Sequence, residues 1–166
     1  PLLLEGARVQ VPRHDSVFSQ WLYATQVGTP QAWQSIIDYF PTKNYWKNRA
    51  TQQLARIYLR DGDLERALEK FEDLASLDET EAELKAFGLA GKAAILTRQK
   101  RYQQSAAVVD QLYPIRDKLR DIVMRQMLEY TVRTNCSQLG VPTSEGWQKV
   151  LQDWQKSLAE PSPGPG

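Results

Sequence analysis

Residues Asn48 to Asp78 read NRATQQLARIYLRDGDLERALEKFEDLASLD, and this stretch decides the fold. Ala50, Leu54, Ile57 and Tyr58 recur at helical spacing, as do Leu64, Ala67, Leu68, Phe71, Leu74 and Ala75 after them. Asp61-Gly62-Asp63 stops one helix and restarts the next. Gly62 suits the left-handed residue that closes a helix, and Asp63 suits an N-cap. A pair of amphipathic helices cannot bury its apolar stripes alone, so the stretch requires neighbours on both sides.

Those neighbours follow the same plan. Asp15 or Ser16 can cap a helix carrying Val17, Phe18, Trp21, Leu22 and Thr25, closed by Gly28. Thr29-Pro30 starts a second helix carrying Ala32, Trp33, Ile36, Ile37 and Phe40. After the central stretch, a helix is expected from about Glu81 to Gln99, and a return helix through Tyr102, Ala106, Val109 and Leu112. The longest helix is expected from about Ile115 to Gln138, with an apolar stripe of Leu119, Ile122, Val123, Met127 and Tyr130. A last helix carries Trp147, Val150, Leu151, Trp154 and Leu158, with a polar opposite face that suits the end of a stack. The expected fold class is all-α, with about eight helices in four antiparallel hairpins. Residues 1–14 read as an extended N-terminal segment, 15–159 as the helical domain and 160–166 (EPSPGPG) as a disordered tail or linker. Within the first segment, Arg8-Val9-Gln10-Val11 alternates as a strand does. The expected role is a linker along the domain; the alternative is a segment seated in a groove.

Two of these units are self-similar. Leu64 aligns with Tyr102, Phe71 with Val109 and Leu74 with Leu112, an offset of 38 residues. A period of that size with two helices per unit is the mark of a helical solenoid. At this point the central stretch resembles the tetratricopeptide repeat family. Leu54-Ala55 stands at the pattern's Leu-Gly pair, Tyr58 at its Tyr, Gly62 and Leu64 at the turn, and Ala67 and Phe71 at its Ala and Phe. Thr51 replaces the usual Trp, Leu74 replaces an Ala, and no Pro follows at Asp78-Glu79. In the next unit Lys100 stands where the pattern has its turn Gly. The offset exceeds the family's period of about 34, and the surplus falls near Asp78 to Glu81, where it would lengthen a helix or loop. The resemblance implies a right-handed α-solenoid that binds peptides or protein surfaces in a groove lined by the first helix of each unit.

On that implication the groove carries Arg49, Gln52, Gln53, Arg56, Leu59 and Arg60 from the central unit, and Phe87, Ala90, Gly91, Ala94, Thr97 and Arg98 from the next. Part would be basic and suited to carboxylates, which an arginine fork bonds in bidentate fashion. The adjoining part would be small and apolar. The simpler reading of the arginines is a solvated helix face with i,i+4 partners. Gln52 and Arg56 occupy two places where the family's clamp for C-terminal carboxylates has Lys and Asn, so that clamp is not expected.

Composition narrows the rest. Charges nearly cancel at net +1, which argues against a broad nucleic-acid or membrane surface. One cysteine, Cys136, excludes an internal disulfide framework, and one histidine, His14, excludes a histidine cluster. No apolar run reaches the roughly 20 residues of a membrane span. The chain starts at Pro1, as an excised fragment would, so an upstream anchor or export signal is not excluded and the compartment is open. Gly88-Leu89-Ala90-Gly91-Lys92 lacks the spacing and the Ser or Thr of a phosphate loop; its glycines are expected to permit close helix contact. No catalytic, cofactor or metal residues are assigned. Trp21, Trp33 and Trp46 are expected in packing, whereas Trp147 and Trp154 lie on a helix with one neighbour and are candidates for exposed anchors. The expected function is a non-catalytic adaptor or scaffold domain that binds a protein or peptide, with an acidic segment suited to the arginines. The alternative is a structural or regulatory domain of a larger chain, membrane-anchored or enzyme-bearing. A third reading, nucleic-acid binding through a basic helix face, is disfavoured because acids interleave with the arginines.

Overall fold

The computed structural model describes residues 10–160 and 164 of the chain. The helices are α1 (Val17–Val27), α2 (Pro30–Tyr39), α3 (Asn44–Arg60), α4 (Leu64–Ala75), α5 (Ala82–Arg98), α6 (Tyr102–Leu112), α7 (Ile122–Leu139) and α8 (Glu145–Ala159). Short 3-10 turns lie at Glu79–Glu81 and Tyr113–Lys118, and no strand occurs among the described residues. The all-α class is therefore as expected. Arg8 and Val9 of the alternating stretch, and all but Glu160 and Gly164 of the tail, lie outside the described residues. The chain divides into two compact units, Pro1–Ala67 and Leu68–Gly166, and the division falls within α4.

In the first unit the caps follow the chemistry of the sequence. The Ser16 hydroxyl accepts from the Ser19 amide at 3.1 Å, and Thr29 accepts from Ala32 at 3.2 Å. Gly28 closes α1 at φ +71°. Ala24, Ala32, Trp33, Ile36, Ala50, Leu54 and Ile57 form the core, fringed by Trp21 and Trp46. The Trp21 ring meets Trp33 at 4.8 Å and Trp46 at 5.3 Å, so these three aromatics pack as expected.

Residues 11–14, before α1, are docked against α1 and α2. Gln20 is fully buried. Its Oε1 accepts from the His14 amide at 2.8 Å, and its Nε2 donates to the Pro12 carbonyl at 3.0 Å and to Ser35 Oγ at 2.8 Å. The Tyr39 hydroxyl donates to the Val11 carbonyl, and the Arg13 guanidinium lies over Tyr39 and Phe40. A buried side-chain amide must find partners, and here the extended main chain supplies them.

In the second unit α5 packs against α6, α7 and both 3-10 turns. Most of its surface is buried. The C-terminal half of α4 approaches it closely. A Cβ on Gly88 would meet Leu74 Cβ at 2.7 Å, and a Cβ on Gly91 would overlap the Phe71 ring. The glycines of the loop-like sequence thus make room for a neighbouring helix, inside a helix whose amides are already engaged. Phe71 and Phe87 stack at 5.5 Å across that contact.

A buried polar knot joins α5, α6 and α7. Thr97 Oγ1 donates to Asn135 Oδ1 at 2.7 Å, Asn135 Nδ2 donates to Ser105 Oγ at 2.8 Å, and Ser105 Oγ donates to the Ala93 carbonyl at 2.8 Å. All three side chains are buried. The knot turns α7 so that Met124, Leu128, Thr131, Val132 and Asn135 face inward. The stripe expected to be buried is only partly so. Leu119 is buried in the turn before α7, but Ile122, Val123 and Tyr130 are exposed. The helix itself starts at Ile122 rather than near Ile115. Leu119, the C-cap of the Tyr113–Lys118 turn, is extended, and Asp121 caps α7 by accepting from the Met124 amide at 2.9 Å.

The 38-residue offset recurs in the main-chain bonds. Asp61, Gly62 and Asp63 amides donate to Ile57, Leu59 and Tyr58 carbonyls at 2.9, 3.2 and 2.9 Å. Gln99, Lys100 and Arg101 donate to Ile95, Thr97 and Leu96 at 3.0, 3.0 and 2.9 Å. Each partner is displaced by the same 38 positions. Gly62 sits at φ +78°, and Lys100 takes the same left-handed region at φ +61°. The surplus near Asp78 forms the separate 3-10 turn Glu79–Glu81, capped by Asp78, which accepts from the Thr80 amide at 2.9 Å.

Two stability measurements follow. Lys100 holds a conformation that costs a side-chain-bearing residue about 1 kcal/mol, so Lys100→Gly is expected to stabilise, and Gly62→Ala to destabilise, each by about that amount in urea unfolding. Asn135→Leu removes two bonds of the knot, leaving the Thr97 and Ser105 hydroxyls with each other at 2.8 Å and with the Ala93 carbonyl, and is expected to cost about 2 kcal/mol. Adding Thr97→Val and Ser105→Ala removes the hydroxyls that lost a partner and should recover part of that loss. A triple variant less stable than the single one would contradict the knot.

Candidate functional site

The rotation of α7 leaves an apolar edge in the open. Val123, Met127 and Tyr130 follow at spacings that keep them on one face of the helix. Val123 is 60% exposed and Tyr130 67%. Beside them α5 contributes Ala94 and Arg98, and α7 adds Gln126 and Thr131, to line a cavity of about 320 Å³. The lining is mostly apolar, with Tyr130 as its aromatic, and Arg98 is exposed with no ion pair among the described residues. A surface of this kind can seat one or two apolar side chains and offer a guanidinium to a nearby carboxylate or carbonyl.

The structure distributes the sequence-derived candidates unevenly. Ala94 and Arg98 come together in this groove. Phe87, Ala90 and Gly91 do not contribute to it, since all three are buried. Their side of α5 is closed by packing such as Phe71 on Gly91 and Phe87, so the small apolar surface expected there is a helix contact. On α3, Arg56 and Arg60 are exposed, and Arg49, Gln52 and Gln53 are half-buried. Arg49 Nη1 donates to the Tyr45 carbonyl at 3.0 Å, with its guanidinium 3.7 Å from the Tyr45 ring centroid. Arg60 pairs with Asp61 at 3.1 Å. Arg49 and Arg60 therefore have local partners on their own helix or its end.

Val123, Gln126, Met127, Tyr130 and Thr131 were not among the candidates, because the first, third and fourth read as core. The signal was present in the sequence. Ile122, Val123, Met124, Met127, Leu128, Tyr130 and Val132 surround more than half of the helix, which is more than one neighbouring pair of helices covers. Of the two tryptophans expected as exposed anchors, Trp147 is buried at 5% and packs on Tyr113 at 5.4 Å. The bulk of Tyr113 also explains Gly146, whose Cβ would meet it. Trp154 is half-buried. Cys136 is a free, half-buried thiol. Among the described residues, no group of three or more His, Cys, Asp and Glu side chains gathers as metal ligands do, and no helix is long and apolar enough to cross a membrane.

Comparison of the chain with protein-family models, with curated proteins and with solved structures finds no match.

Proposed function

We propose that this chain is a non-catalytic protein-interaction domain, a tetratricopeptide-like solenoid of antiparallel helix hairpins, that seats a peptide or protein surface on the α5–α7 groove. The observation that carries the reading is the open stripe of Val123, Met127 and Tyr130 beside Ala94 and Arg98. Large aromatic and aliphatic side chains held on a rigid helix, next to a small residue and a cation, are the ingredients of a binding hot spot. The repeated turn geometry at a 38-residue offset supports the repeat reading. The exposed side of α3, with Arg56 and Arg60 outward and Arg49, Gln52 and Gln53 half-exposed, is retained as a second place where an acidic segment would be held.

The test is selection of a displayed random-peptide library on the purified chain, followed by titration of labelled winners. Tyr130→Ala and Val123→Ser are expected to weaken the selected peptides about tenfold, which is about 1.4 kcal/mol, without lowering the unfolding midpoint. Arg98→Gln should weaken those peptides that carry an acid. Arg56→Glu assigns or removes the α3 face: acidic winners that bind it as well as the parent chain do not use that face. Failure to enrich any peptide, or winners indifferent to Tyr130 and Val123, would remove the groove from the reading.

A further inference from the structure

The other side of α7 carries a second concavity, and its chemistry differs from that of the groove. It lies between α7 and α8 with a volume of about 300 Å³. Two guanidiniums face it, Arg120 from the turn before α7 and Arg125 from the first turns of the helix. Arg125 is held in place. Its Nε donates to the Leu119 carbonyl at 2.6 Å, and its guanidinium lies 5.0 Å from the Trp154 ring centroid. Those contacts use Nε and one face of the group, so the Nη donors remain directed to other partners. Neither arginine has an ion pair with a carboxylate among the described residues. Burial, and then the charge of Arg120, lower the pKa of Arg125. The one acid in the wall, Glu129, is already engaged. It pairs with Arg133 at 3.1 Å and accepts from Gln155 Nε2 at 2.7 Å. At the edges stand Ile122 and Leu158, each 54% exposed.

Two like charges side by side raise each other's energy, and an arginine stacked on tryptophan is a fork already oriented. Both conditions favour an incoming carboxylate, and the flanking isoleucine and leucine favour an apolar group beside it. We propose that the α7–α8 notch is a binding site for an acidic segment of a partner protein, in which a carboxylate is held by Arg120 and Arg125 and a neighbouring aliphatic side chain packs on Trp154, Ile122 and Leu158. The site shares only Gln126 with the α5–α7 groove and differs from it in ligand chemistry, so either stands if the other fails.

The probe is the dipeptide N-acetyl-leucyl-glutamate, compared with the same dipeptide carrying amides in place of both carboxyls. Titration into isotope-labelled protein is followed at the Trp154 indole N–H, which Trp154→Phe identifies by its disappearance. The acid is expected to shift that resonance saturably, with the diamide weaker by about tenfold, as a charge-assisted pair requires. Arg120→Gln, at an exposed position that folding does not depend on, should weaken the acid several-fold. Arg125→Gln should weaken it further, and Arg125→Lys should recover only part because an ammonium does not reproduce the fork. An unmoved Trp154 resonance would overturn the proposal, as would equal binding of acid and diamide. So would affinity that survives both Arg120→Gln and Arg125→Gln, or shifts centred on Val123 and Tyr130 instead.

Discussion

The hydrogen bonds among Thr97, Ser105 and Asn135 determine which way α7 faces, and the surface of the second unit depends on that choice. A buried asparagine without partners costs about as much as a well-packed leucine contributes, so Asn135 has one acceptable rotation. In that rotation its amide meets the Thr97 and Ser105 hydroxyls. Residues at spacings of four and three before it, Thr131, Leu128 and Met124, are carried inward with it. Val123, Met127 and Tyr130 are carried to the rim beside α5, and Ile122 and Arg125 to the side of α8. If apolar content alone set the rotation, the competing stripe would turn inward, because it has more large apolar residues. The polar contacts select against that alternative, which is the best-attested use of buried polar groups.

The first unit uses the same device on a different partner. Gln20 is as buried as any core residue, and what it bonds is main chain, at Pro12 and His14, besides Ser35. A main-chain partner sets position without requiring particular side chains in the segment. Tyr39 and its bond to the Val11 carbonyl extend the arrangement by another residue. Arg13 adds contacts to Tyr39 and Phe40 through its guanidinium face. Residues 11–14 are thus part of the folded unit, in contact with α1 and α2.

What was legible in the sequence is what local chemistry determines. Gly28 and Gly62 close helices at positive φ, and Ser16 and Thr29 cap them through short side chains. The 38-residue offset was legible too, and Lys100 is its most informative position. A lysine replaced the glycine, yet the turn kept its three hydrogen bonds and its left-handed residue. The packing on both sides therefore outweighs about 1 kcal/mol of local strain. What was not legible required knowing which neighbours a helix has. Gln20, Thr97 and Asn135 find partners 8, 15 or 38 positions away, which no local pattern reports. Phe87, Ala90 and Gly91 read as an open groove because a periodic pattern does not say how many helices surround it. Only Ala94 and Arg98, near the end of α5, keep access to the groove.

The open edge of α7 has an energetic meaning of its own. Covering a residue such as Val, Ile or Tyr contributes about 1.5 to 3 kcal/mol, so leaving Ile122, Val123 and Tyr130 outside forgoes a stabilisation comparable to a large part of a domain's net stability. Single apolar residues on a surface are ordinary, but three on adjoining faces of one helix, each beside a concavity, form a patch. Rotating α7 would bury the patch but would expose Met124, Leu128 and Val132 and break the Asn135 bonds. The knot that prevents the rotation therefore holds an arrangement in which the apolar edge is exposed. Stability and display are set by the same three side chains, and they sit on the far side of the helix from the surface they orient.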